Sequence, residues 1–248
     1  MKVSIQKCAL GLILSAFPLF AESFSERAIG VSIGNEMVYA MEQAIDWTLA
    51  RQGEDGAWGS GTNLYRTTAL LRAALLALRQ PEATNACAKA GSRLAARPIP
   101  ADQPLDAYAW HLLTEKDPAT LAAIREAAKP RLAAAPPDER RIWRDAASAK
   151  GIPVDTPNGS PPATPPWPIA KTASCRAIWL AARTINRDFK GVIAGPDGEP
   201  VNWRRILAER LVSAQRRAGT GGYWPARDAG ESDLTETAFA LLTFLELL

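Results

Sequence analysis

The fold of this chain is decided by one short stretch, Trp47-Thr-Leu-Ala-Arg-Gln-Gly-Glu-Asp-Gly-Ala-Trp58. Apolar residues at helical spacing lead up to Gln52, Gly56 permits a turn, and Trp58 follows it. A second helical segment then contains Thr68-Ala-Leu-Leu. A helix, a glycine turn and another helix in this order predict a helical hairpin.

A second copy of this pattern lies near the C-terminus. There Gln215 is followed by Gly222, by Trp224 and by a helical segment that begins near Thr237. Weaker copies of the second helix lie between the two, in Asp106-Ala-Tyr-Ala-Trp-His-Leu-Leu and Thr172-Ala-Ser-Cys-Arg-Ala-Ile-Trp. Alternating β-branched runs are almost absent. We therefore predict an all-α domain over residues 35–248, built from four or five hairpins that bury their faces against one another.

The spacing of Gln52, Gly56 and Trp58 resembles the Q-x-x-x-G-x-W motif of squalene and hopene cyclases, in the terpene cyclase and prenyltransferase family. The second copy, with three extra residues inserted, comprises Gln215, Gly222 and Trp224. The resemblance implies an α/α toroid, in which outer and inner helices alternate around a central cavity. It also implies a structural role for these six residues, with the glutamine bridging backbone groups beside the indole. Four or five hairpins are fewer than the six of a complete barrel, so an incomplete ring is expected.

The first 21 residues have the pattern of a signal peptide. Lys2 and Lys7 form a basic region, the apolar run Cys8–Phe20 follows, and Ala21 offers a cleavage site. This pattern predicts a secreted or periplasmic protein. No later stretch is apolar enough to cross a membrane.

The charge balance argues against nucleic acid or anionic lipid as partners. Without Lys2 and Lys7 the 29 basic residues become 27, against 26 acidic residues. The basic residues are scattered along predicted helices, where solvated faces are expected.

Two features leave alternatives open. The segment 151–168 is rich in proline and cannot be helical, so it is a surface loop that acts as a lid, a linker or a disordered stretch. Cys87 and Cys175 lie in Ala-rich helical segments, where they are either buried thiols or, after export, partners in a disulfide.

The resemblance also identifies the acids that catalysis would need. Class II cyclases protonate an alkene or epoxide with an aspartate in a D-x-D-D-T-A string. In the matching register this chain has Asp233-Leu-Thr-Glu-Thr-Ala, so that Asp233 and Glu236 occupy the outer acid positions. Thr235 occupies the position of the proton donor, and a hydroxyl cannot protonate an alkene. Asp233 and Glu236 are catalytic candidates, but stabilisation of a helix N-terminus also explains them.

Metal and cofactor chemistry have little support. A D-D-x-x-D string for Mg²⁺ is missing from the sequence, and His111 is its only histidine. The zinc site of the related prenyltransferases needs Asp, Cys and a downstream His, a combination that this sequence does not offer. We expect no metal and no cofactor, and we expect His111 to lie satisfied on a helix face.

The favoured function is non-catalytic binding of an isoprenoid, a lipid or a protein segment in the concave centre. The side chains expected to face that centre are aromatic, namely Tyr65, Tyr108, Trp110, Trp179 and Phe239. The alternative is an enzyme, either a terpene cyclase-like transferase or isomerase, or a polysaccharide-active lyase or hydrolase. An apolar cavity favours a lipid, a polar cleft favours a sugar, and a shallow open groove favours a protein segment.

Overall fold

In the computed structural model of the chain, residues 29–153, 166–191, 193–195 and 197–248 are described. Within these ranges the chain forms nine α-helices and one short two-stranded sheet, so the predicted all-α class is confirmed. The predicted signal peptide, residues 1–21, lies outside the described ranges, as do residues 154–165 of the proline-rich segment.

The helices are, in chain order, α1 (Val31–Leu49), α2 (Leu64–Leu78), α3 (Thr84–Ala95), α4 (Leu105–Thr114), α5 (Pro118–Leu132), α6 (Pro137–Ala149), α7 (Cys175–Asp188), α8 (Trp203–Ala214) and α9 (Asp233–Leu247). The strands are β1 (Arg216–Ala218) and β2 (Gly221–Tyr223), which pair antiparallel. None of the helices in the described ranges has the length and apolar character that a membrane crossing requires.

Polar side chains and prolines set the helix starts. An oxygen of the residue before the helix accepts a hydrogen bond from a first-turn amide in four cases, at Asp117, Ser174, Asn202 and Ser232. Pro118 and Pro137 occupy first positions, where the missing N–H has no cost.

The structure shows two local differences from what short-range sequence signals favour. Asn63, just before α2, is a residue type that often caps helices, but its side chain does not cap α2. It ends a 3₁₀ turn, and its side-chain amide donates to the Gly230 carbonyl at 2.7 Å. Helix α8 ends at Ala214, although helical spacing continues to Arg217, because Gln215 is extended and the following residues pair in the β-hairpin. Both differences arise from contacts with segments that are distant or extended, which the helical period does not encode.

The helices divide into two sets. The central helices, α2, α4, α6, α7 and α9, all contribute side chains to one cavity. They contact one another in the order α6, α4, α2, α9, α7. Long side chains join α7 back to α6, since Arg176 reaches Asp138 at 2.9 Å and Arg183 reaches Asp145 at 2.8 Å. The peripheral helices, α1, α3, α5 and α8, pack against this set from outside.

The central helices run parallel, because residues from their first turns meet one another. Arg66 of α2 holds Asp106 of α4 through two hydrogen bonds of 3.1 and 2.9 Å. The Leu105 amide of α4 donates to Glu139 of α6 at 2.9 Å. This polar layer is followed, one helical turn further on, by an aromatic layer and then by the cavity.

Candidate functional site

Trp58 and Trp224 make equivalent hydrogen bonds in the two sequence copies. The indole N–H of Trp58 donates to the Thr48 carbonyl at 2.9 Å, and its backbone N–H donates to the Thr68 hydroxyl at 3.0 Å. In the second copy the same two groups belong to Trp224, and their acceptors are the Leu211 carbonyl at 2.8 Å and the Thr237 hydroxyl at 3.1 Å. Each tryptophan is fully buried, so each ties the end of a peripheral helix to the start of a central helix.

The glutamines join neighbouring peripheral helices. Gln52, after α1, donates to the Gly56 carbonyl at 2.9 Å and to the Ala86 carbonyl of α3 at 2.8 Å. Gln215, after α8, donates to the Ala40 carbonyl of α1 at 2.8 Å. In both copies the motif glutamine therefore joins its own peripheral helix to a neighbouring peripheral helix, α8 to α1 and α1 to α3.

Both motif glycines lie where a side chain would collide. A Cβ on Gly56, whose φ is +84°, would lie 2.7 Å from the Lys89 carbonyl oxygen. A Cβ on Gly222 would lie 2.6 Å from the amide of Gln215. These approaches let the turn pack directly on the neighbouring helix and on the glutamine.

The central cavity has a volume of about 270 Å³. Nine of its lining residues are apolar: Leu76, Ala77, Trp110, Leu113, Ile142, Ala146, Trp179, Leu242 and Leu245. Four are charged: Arg79, Asp145, Arg183 and Glu246. Leu76 is 41% exposed, which places one wall of the cavity at the protein surface.

An aromatic layer closes the inner end of this cavity. Trp110 and Trp179 lie 5.4 Å apart between ring centroids, and Phe239 lies 6.4 and 5.5 Å from them. These distances are typical of favourable aromatic pairs. Trp110 and Trp179 line the cavity, whereas Phe239 supports both rings from behind.

The indole N–H of Trp110 is buried and has no hydrogen-bond partner within the described chain. Trp110 itself is 4% exposed. An unpaired buried N–H costs roughly 1–3 kcal/mol. The Trp110 indole N–H is therefore an unsatisfied donor inside the protein.

Three of the four charged lining residues, Arg183, Asp145 and Glu246, are paired with one another. Arg183 reaches Asp145 at 2.8 Å and Glu246 at 3.2 Å, and its guanidinium lies over the Trp179 ring at 5.4 Å. With Arg79, the lining holds two positive and two negative side chains. The cavity wall is thus charge-balanced.

Tyr65 and Tyr108, also expected at the centre, lie in a separate cluster. Their rings are 6.1 Å apart, and the Tyr108 hydroxyl donates to the Pro100 carbonyl at 2.5 Å. The Tyr65 hydroxyl lies 2.9 Å from Nδ1 of His111. Neither tyrosine lines the cavity, so the five predicted aromatics split between two places.

His111 is fully buried in this cluster. Its Nε2 lies 3.5 Å from a carboxylate oxygen of Glu115. Burial lowers the pKa of His111 to about 4, and the nearby Glu115 carboxylate only partly opposes that effect. Burial also raises the pKa of Tyr65, so its hydroxyl remains protonated and can donate to Nδ1 of the neutral imidazole.

The two catalytic candidates support backbone groups. Asp233 accepts a hydrogen bond from the Ala226 amide at 2.8 Å. Glu236 is fully buried and accepts from the Cys175 amide, at the start of α7, at 2.7 Å. Burial raises the pKa of Glu236. Neither acid lines the cavity, because both belong to the first turn of α9 and the aromatic layer follows one turn later.

The cysteines are not bridged. Cys87 and Cys175 are both buried with free thiols. Burial raises the pKa of Cys87 to about 11, so its thiol stays protonated. Over the described ranges, His, Cys, Asp and Glu side chains form no group of three or more that could hold a metal ion.

Sequence reasoning missed the charged lining residues and the buried polar layer. Arg66 is only 8% exposed, contrary to the solvated position expected for basic residues, because Asp106 and Glu231 pair with it. Helical spacing could have identified part of the cavity lining, because residues three or four apart lie on the same face of a helix. Arg183 follows Trp179 by four residues, and Leu242 follows Phe239 by three.

Comparison of the chain with protein-family models, with curated proteins and with solved structures found no match.

Proposed function

We propose that this chain is an exported, non-catalytic α/α-toroid protein, related to the squalene cyclases, that binds an apolar ligand in its central cavity. The observation that carries the proposal is the cavity itself. Five central helices line it with nine apolar residues, and an aromatic layer closes its inner end. Convergent apolar walls with a few polar groups are typical of small-molecule sites.

Three contacts support the toroid. The central helices follow one another in sequence around the cavity, and α6 and α7 meet through arginine and carboxylate side chains. The glutamine of each motif reaches the next peripheral helix. The equivalent tryptophans attach each peripheral helix to a central one. Four peripheral and five central helices correspond to four hairpins and one additional central helix.

The cavity volume sets the size of the ligand. A dry cavity of about 150 Å³ holds one benzene molecule. The 270 Å³ found here therefore suits an apolar group of about eleven carbon atoms. An isoprenoid or acyl chain of about ten carbons fits this estimate, whereas squalene is far too large for the cavity as it stands.

Geraniol and decan-1-ol are ten-carbon probes for this site, and isothermal titration calorimetry can measure their binding. We expect saturable binding to the unmodified protein. Ala77→Phe places a ring in the cavity and should weaken binding by more than about tenfold. Ala122→Phe, at an exposed position on α5, is the matched control and should bind as the unmodified protein does. Absence of saturable binding, or equal affinity in Ala77→Phe, would refute the proposal.

Incubation with squalene or a prenyl diphosphate, with and without Mg²⁺, tests the enzymatic alternative. We expect no cyclic product by mass spectrometry, because Thr235 lies at the proton-donor position of the cyclase motif and the neighbouring acids, Asp233 and Glu236, accept hydrogen bonds from backbone amides. A cyclic product that disappears in the Asp233→Asn, Glu236→Gln double variant would establish the enzyme in place of the binding protein.

A further inference from the structure

We infer that the ligand of the central cavity has a carboxylate head group, which binds Arg79 at the mouth while the apolar chain fills the cavity. This inference rests on the proposed function and specifies both the class of the ligand and the residue that selects it. Arg79 directly follows α2, lines the cavity and is exposed to solvent. It therefore lies where the cavity meets water.

The mouth of the cavity is formed at the end of α2. Leu76 lines the cavity and is 41% exposed, and Arg79 follows it by three residues. An exposed arginine lays its aliphatic stem along apolar surface and keeps its guanidinium in water. An apolar chain inside the cavity places its head group at this mouth, where a carboxylate can accept two parallel N–H bonds from the guanidinium.

The backbone of Arg79 supports a role for its side chain. Its φ of 54° and ψ of 34° are left-handed, a conformation in which glycine is the commonest residue at helix ends. A Cβ makes this conformation less favourable. Within the described ranges, Lys190 is the one other non-glycine residue with a positive φ, 51°, and it does not line the cavity. Unfavourable backbone conformations cluster at ligand sites, which agrees with a binding role for Arg79.

The charges of the wall favour an anion at Arg79 over an anion at Arg183. Arg183 lies between two carboxylates, 2.8 Å from Asp145 and 3.2 Å from Glu246, and both would repel an anion there. These carboxylates belong to α6 and α9, whereas Arg79 lies at the end of α2. The partial negative charge of helix C-termini opposes an anion at the mouth. Water screens that charge at an exposed position, and a direct guanidinium contact is stronger.

Decanoate and decan-1-ol test the head group, because both are ten-carbon chains and only decanoate is charged. Isothermal titration calorimetry measures both affinities. We expect the unmodified protein to bind decanoate at least as tightly as decan-1-ol. Arg79→Gln removes the charge and keeps a polar side chain. It should weaken decanoate binding by about fivefold, as the loss of an ion pair at a surface does, and decan-1-ol binding by less than about twofold.

Glycine variants test the argument from the backbone. Arg79→Gly removes the side chain and suits the left-handed conformation, so it should raise Tm by about 2 °C and weaken decanoate binding as Arg79→Gln does. Lys190→Gly is the matched control, since it should raise Tm similarly and change both affinities by less than about twofold. Circular dichroism measures Tm. A lower Tm in Arg79→Gly would show that Arg79 stabilises the fold itself and would overturn this argument.

The possible failures separate the two proposals. If decan-1-ol binds the unmodified protein and decanoate binds more weakly, the cavity is a ligand site and the carboxylate class is wrong. If both bind but Arg79→Gln weakens them equally, or changes neither affinity, the assignment of Arg79 is wrong. If neither compound binds the unmodified protein, the cavity is not a ligand site and both proposals fall.

Discussion

Replacing Trp58 by alanine tests whether the Gln52, Gly56 and Trp58 motif stabilises the fold. The side chain is fully buried and belongs to the main core, so its removal leaves a cavity as well as lost apolar contacts. Truncation of a buried Trp to alanine costs about 3–5 kcal/mol. The indole hydrogen bond to the Thr48 carbonyl adds about 1 kcal/mol. We expect the free energy of unfolding to fall by about 4 kcal/mol or more, a large part of the stability of one domain.

Trp58→Phe separates the two contributions. It retains most of the ring and removes the N–H donor, so we expect a loss of about 1–2 kcal/mol. Tyr39→Ala on α1 is the control, since Tyr39 is 49% exposed and its loss should cost less than about 1 kcal/mol. The measurement is urea unfolding followed by circular dichroism, with unchanged m-values as evidence for a common two-state transition. A loss below about 1 kcal/mol for Trp58→Ala would refute a structural role for the motif.

Three further predictions concern the glutamine bridge and the buried titratable groups. Gln215→Ala removes the hydrogen bond to the Ala40 carbonyl and should lower the free energy of unfolding by about 1–2 kcal/mol in the same urea assay. If hydrogen-exchange protection of α1 and α8 is the same in this variant as in the unmodified protein, the bridging role of Gln215 is wrong. Burial lowers the pKa of His111 to about 4, so the contribution of the neutral imidazole to stability is complete above pH 6.5 and is lost as the pH falls toward 4. His111→Gln should therefore flatten the plot of stability against pH in this range. A plot parallel to that of the unmodified protein would show that His111 does not cause this pH dependence. Burial raises the pKa of Glu236, so its protonated form is favoured in the fold and stability falls as the pH rises above about 4.5. Glu236→Gln can still accept from the Cys175 amide and should gain stability relative to the unmodified protein between pH 4.5 and 7. A constant stability difference over that range would show that Glu236 does not titrate there.

The all-α class can be read from the sequence because helix signals are local. Helical spacing of apolar residues, prolines at first positions and capping side chains such as Ser232 act within a few residues of one another. The repeated Gln, Gly and Trp spacing is also readable along the chain. It identified side chains that tie successive helices together, although the partners of Gln52 and Gln215 on other helices are not visible in that spacing.

The candidate site was predicted only in part. Trp110 and Trp179 were expected at the centre and do line the cavity, whereas Tyr65 and Tyr108 lie in the cluster around His111. All four belong to central helices, so helix identity alone does not distinguish them. The distinction is their level along the axis, since Tyr65 lies in the first turn of α2 and the cavity begins more than two turns later, near Leu76.

By itself, the sequence determined the all-α class and the spacing of the two Gln, Gly and Trp sets, because each depends on the identity and spacing of nearby residues. Tertiary structure alone decided which carboxylates are buried, which indole N–H groups are left unpaired and where the cavity lies. Those properties depend on how far each helix is shifted along its neighbours. Arg183 meets Asp145, and Glu236 meets the Cys175 amide, only because parallel packing brings helices distant in sequence to the same level.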